Sequence, residues 1–104
     1  MHKTILPNGL KVIYELKKSN SVVVEVLINV GSDYEKEDER GISHFLEHMV
    51  FEGTKKRPNN WLISNEIERV GGNFNAYTTN ERTCFYVKVL KKHFHLAVEV
   101  LADI

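Results

Sequence analysis

The chain has 104 residues, 42% of them hydrophobic, enough for one domain with a modest core. Its 14 Lys and Arg cancel its 14 Asp and Glu to a formal net charge of +0, which argues against a nucleic acid or a membrane surface as partner. The single cysteine, Cys84, excludes an internal disulfide, and neither a signal peptide nor a membrane-length apolar run is visible, so cytoplasmic residence is the default expectation.

In chain order, Ile5–Tyr14 reads as a β-hairpin, with Asn8-Gly9 as the tight-turn signal between two apolar strands. Ser19-Asn20-Ser21 is a polar break. The β-branched run Val22–Val30 predicts a strand covered on both faces or nearly so, ended by Gly31. Asp33–Arg40 is a charge run, whose ordinary meaning is a solvated loop. Between Gly41 and Gly53, the apolar residues Ile42, Phe45, Leu46, Met49 and Val50 predict an amphipathic helix of about three turns. A basic linker, Lys55–Asn60, carries Pro58 as a helix-start signal, and a second helix is predicted from Trp61 to Val70, stopped by Gly71-Gly72. Asn73–Thr78 alternates polar and apolar as a half-buried strand does. Thr79-Asn80 turns it into a further strand, Thr83–Leu90, in which Cys84 is read as a small buried apolar residue. A last helix starts near His93 and runs to Ile104, with Leu96, Val98, Val100 and Leu101 among its apolar positions and no stop signal. The expected architecture is α+β, a largely antiparallel sheet with helices packed on one face.

The first of these helices carries the chemistry. Residues four apart stand one above the other on a helix, so His44 and His48 of His44-Phe45-Leu46-Glu47-His48 face the same way and can share one metal ion. Glu47 lies beside them, within reach of a water on that metal. Two imidazoles and a neighbouring carboxylate are what metal-assisted hydrolysis requires: ligands, an activated water and a general base. The order H-x-x-E-H is the inverted form of the commoner H-E-x-x-H. A surface helix that happens to carry two histidines is the bland alternative, and the motif's place inside a bounded amphipathic helix argues against it.

With these stretches placed, the chain resembles the pitrilysin-like zinc peptidases, the family of the mitochondrial processing peptidase and insulin-degrading enzyme. The resemblance rests on Leu10-Lys11-Val12, Gly31-Ser32, Gly41–Thr54 around the motif, Gly71–Thr78 with Glu81 and Thr83, and Ala97–Ile104. It implies that His44 and His48 bind zinc and that Glu47 is the general base of a metalloendopeptidase. It further implies that Asn75 and Ala76 pair with an extended peptide or unfolded-protein substrate by strand addition.

A catalytic zinc takes three protein ligands and a water, and in the relatives the third is a Glu that would fall beyond Ile104. The expectation is therefore the N-terminal portion of one zinc-peptidase domain, spanning 1–104 and incomplete. It would need self-association, a complementing chain or a C-terminal half. The alternative is a fragment that binds peptide, or serves structurally, without a complete metal site. Within the chain, Glu66 and Glu99 read as solvated helix-face charges and Glu81 as support for the strand pair. His93 and His95 read as surface residues, Trp61 as a packing cap on the second helix, and Tyr77 and Tyr86 as sheet packing.

Overall fold

A computed structural model describes residues 1–104. Its strands are β1 (His2–Ile5), β2 (Lys11–Tyr14), β3 (Ser21–Ile28), β4 (Asn73–Thr78) and β5 (Thr83–Leu90), and its helices α1 (Ile42–Met49), α2 (Asn60–Glu68) and α3 (Phe94–Asp103). The α+β expectation holds: β5 lies between β3 and β4 in an antiparallel sheet of order β3-β5-β4, and β1 pairs with β2 in a separate hairpin.

The core forms where alternation on the sheet meets helical spacing. Val22 and Val24 of β3, Phe85, Val87 and Val89 of β5, and Phe74 and Ala76 of β4 project from one face. Against them lie Ile63 and Ile67 of α2 and Ala97, Val100 and Leu101 of α3. Val98, expected among the apolar positions, is turned outward on α3, and Ala97 takes the inward place because spacings of three and four select residues 97, 100 and 101.

Several expectations change. The run Val22–Val30 reads as a strand covered on both faces or nearly so. It is instead an edge strand that ends at Ile28, with Val23 and Leu27 half exposed on the open face. The hairpin closes at Ile5↔Lys11 rather than at Asn8-Gly9. Gly9 N bonds Leu6 O at 2.9 Å, so Leu6–Gly9 is the turn, with Pro7 at its second position and Gly9 at φ +90. Helix α1 spans 8 residues rather than three turns, and its apolar flank of Ile42, Phe45, Leu46 and Met49 is exposed. Helix α2 starts one residue earlier than read, because Asn59 Oδ1 accepts the Leu62 N–H at 3.0 Å and caps it. Trp61 stands out in solvent and packs no cap.

One charge of the basic linker is hidden, while Lys55 and Lys56 stay exposed. Arg57 is only 3% exposed and donates to Glu66 Oε2 at 2.7 Å and Asp103 Oδ2 at 2.7 Å, with Glu99 Oε1 at 3.4 Å. Glu66 and Glu99 are therefore not free helix-face charges. They join α2 and α3 through one guanidinium, which presents enough donors for all three partners. Thr54 also donates to Asp103 Oδ2, at 2.7 Å. Removing the arginine leaves carboxylates facing one another without a counter-charge. Because they keep partial access to water, the expected cost of Arg57→Ala is about 2–3 kcal/mol, below the range for a fully buried pair. The hydrogen bonds from Arg57 and then Thr54 hold the Asp103 carboxyl below the usual aspartate range. A depressed folded pKa gives stability that is whole above the unfolded value and lost as pH falls through the folded one. Urea titrations should accordingly show the gap between wild type and Arg57→Ala narrowing from pH 7 to pH 3.

Candidate metal centre

Helix α1 places the motif as its spacing requires. His44 Nε2 and His48 Nε2 lie 3.0 Å apart, their rings edge to face with centroids 4.5 Å apart. One donor atom from each of His44, Glu47 and His48 lies within 4.8 Å of the others, and no other group of three His, Cys, Asp or Glu side chains meets that condition. Two imidazole nitrogens bound to one tetrahedral zinc at about 2.0–2.1 Å each would stand about 3.4 Å apart. The observed pair reaches that separation with a small ring rotation, so these residues fit the metal.

Glu47 differs from the two histidines in its surroundings. Both imidazoles are exposed, whereas Glu47 is 9% exposed and turned toward β4, where Thr78 Oγ1 donates to its Oε2. Thr78 pairs with Thr83, and Thr83 Oγ1 donates to Val30 O at 2.8 Å, which ties the end of β4 back to the segment after β3. Thr78 was not singled out in the sequence. Its signal was the period of two, which puts it on the same face as Phe74 and Ala76, toward the helices.

Asn75 and Ala76 lie on β4, which pairs with β5 on one edge only. The Ala76 N–H donates to Asn75 Oδ1 at 2.8 Å, so that backbone donor is occupied by its neighbour's side chain. No further carboxylate joins the histidine pair and Glu47. Glu66, Glu99 and Asp103 are held by Arg57, and Glu81 lines a shallow polar hollow with Asn29, Asp33, Tyr34 and Arg82.

A second residue escaped the sequence reading. Glu35, within the charge run read as a solvated loop, is half-buried, and its carboxylate accepts from Gly41 N at 2.9 Å and Ser43 N at 2.7 Å. Gly41 opens α1 with no side chain of its own to cap it. Nothing in the local spacing marks a cap that comes from six and eight residues away. The bonds from Ser43 and then Gly41 lower the Glu35 pKa below the ordinary glutamate range.

The arrangement of helices and sheet that holds these residues recurs in a solved protease. A crystal structure of a protease from Helicobacter pylori superposes on 98% of this chain and 24% of its own, with a TM-score of 0.93 and 31% sequence identity. The family model described as Insulinase (Peptidase family M16) matches residues 11–104, and the chain belongs to that family. The mitochondrial-processing peptidase subunit beta of Dictyostelium discoideum is 45% identical over 101 residues, 97% of this chain and 22% of that protein. A zinc protease of Rickettsia felis is 46% identical over 100 residues, covering 95% of this chain and 24% of its own length. Cytochrome b-c1 complex subunit 1 of Bos taurus is 46% identical over 99 residues, 95% of this chain and 20% of that subunit. The chain thus spans about a quarter of the length of these relatives, or less.

Proposed function

We propose that this chain is the zinc-binding part of a metalloendopeptidase of the inverted zincin type, with His44 and His48 as metal ligands and Glu47 as general base. The convergence of the two Nε2 atoms at 3.0 Å beside a buried, hydrogen-bonded carboxylate carries the reading. Zinc bound there supplies a Lewis acid and lowers the pKa of the water it coordinates. The chain's own residues do the rest. Thr78 occupies Glu47 Oε2, which leaves Oε1 to accept the proton of the attacking water and pass it to the departing amine. The free edge of β4, with Asn75 and Ala76, orients an extended peptide by main-chain pairing, once the Ala76 N–H exchanges the Asn75 side chain for substrate. A third metal ligand comes from a further segment or a complementing chain.

A second reading has support in the relatives' names, since one is a subunit of the cytochrome b-c1 complex rather than a named protease. In that reading the chain binds extended peptide on β4 or serves as a structural subunit, without turnover. Zinc titration against a colorimetric competitor tests the metal reading first. One zinc per chain is expected, with affinity reduced at least about tenfold in His44→Ala and in His48→Ala. Uptake that neither substitution weakens would overturn it.

A further inference from the structure

Helix α1 begins at a bare glycine, Gly41 at φ +84, whose carbonyl accepts the Phe45 N–H at 2.8 Å but whose residue offers no capping side chain. The missing acceptor is brought from outside the helix by Glu35. One carboxylate oxygen takes the Gly41 N–H and the other the Ser43 N–H, two orphan donors of the first turn. Charge strengthens both bonds, since the acceptor is an anion and lies at the positive end of the helix dipole. The segment that carries Glu35 is itself moored to the sheet. Ser32 N bonds Thr79 O at 3.2 Å, Asp33 N bonds Asn80 O at 2.8 Å, and Ser32 Oγ donates to Asn80 Oδ1 at 2.8 Å. A continuous path of hydrogen bonds thus runs from the β4–β5 turn through the acidic loop to the residue that precedes His44.

We infer that Glu35 is a positioning residue for the histidine pair: its carboxylate fixes the first turn of α1 and, through Ser43, the direction in which His44 faces His48. Glu47 is anchored by Thr78, next to the Thr79 and Asn80 that moor the loop, so the start of α1 and its glutamate are both tied to the end of β4, the first through Glu35 and the second directly. The part of this inference that concerns the metal rests on the proposed function, whereas the part that concerns α1 does not.

Three variants test it: Glu35→Ala, Glu35→Gln, which keeps one accepting oxygen, and Glu37→Ala, on the same loop but without a hydrogen bond to α1. The first readout is amide hydrogen exchange of the metal-free chain, with the ring signals of His44 and His48 followed by NMR. Exchange at Phe45 should speed by about five- to tenfold in Glu35→Ala, less in Glu35→Gln and not in Glu37→Ala, with α3 unchanged and the His44 ring signal moved. The second readout is titration with Co2+ as a coloured probe, where affinity should fall in the same order by about three- to tenfold. Exchange in α1 that is the same in Glu35→Ala as in wild type, or equally fast in Glu37→Ala, would overturn the inference. A wild-type chain that takes up no Co2+ would sink the metal reading instead, and the exchange and ring signals would still decide the role of Glu35.

Discussion

Glu47→Gln is expected to abolish peptide cleavage while leaving zinc uptake as in wild type. The substitution keeps the shape of the side chain, and the amide oxygen can still accept from Thr78. The atom then left toward the histidines is an NH2 group, a donor where an acceptor is required, and an amide cannot carry a proton from water to an amine. Losing a positioned general base costs about 10²–10⁴-fold in rate. A quenched, unstructured peptide provides the assay, run with and without a zinc chelator on the smallest assembly that cleaves it. Cleavage that persists in Glu47→Gln would exclude Glu47 as the base. Peptide binding with no assembly of the wild-type chain that cleaves would favour the non-catalytic reading.

The second large effect is expected at Gly31→Ala. Gly31 is buried in an ordinary extended conformation, so backbone strain is not the issue; space is. A Cβ at this position would sit 2.1 Å from Thr79 O and 2.8 Å from Asn80 O, both backbone atoms that no rotamer change can move. The loop must therefore lift away from the β4–β5 turn, breaking the bonds of Ser32 and Asp33 to Thr79 and Asn80. A cost of about 3 kcal/mol or more is expected, which for a chain of this size corresponds to a fall in Tm of about 10 °C or more. Because Glu35 travels on the displaced loop, α1 should also lose its cap. Calorimetry together with amide exchange would check both, and a Tm within a few degrees of wild type would show that the loop accommodates the methyl group.

What could be read from the sequence depended on the range of the interactions. The motif was legible because four-residue spacing on a helix is a local fact, and the core of β5 and α3 was legible because alternation and helical period are local as well. Thr78 carried the right period but no chemistry of its own until Glu47 was seen to face it. Glu35 and Arg57 were misread for a common reason. A charge run and a basic linker have ordinary solvated meanings, and only the folded chain brings the Glu35 carboxylate to the start of α1 or folds Arg57 in among Glu66, Glu99 and Asp103. The open face of β3 was expected to be covered or nearly so, because apolar runs signal burial without saying which part of a protein buries them. The three relatives compared above are several times longer than this chain, which covers 20% to 24% of each.

Cys84 sits in the middle strand with no exposed surface, beside Tyr77, and burial pushes its thiol pKa up. It lies on the sheet face away from the helices, among Leu27 and Tyr77, so a thiol-specific dye reaches it only when those neighbours move aside. The lone sulfur serves as an internal clock, its labelling rate counting each opening of the sheet surface around β5 without any engineered probe. A tight-binding ligand, a completing chain or a stabilising substitution would each slow that clock, so one reagent can rank them all on a common scale.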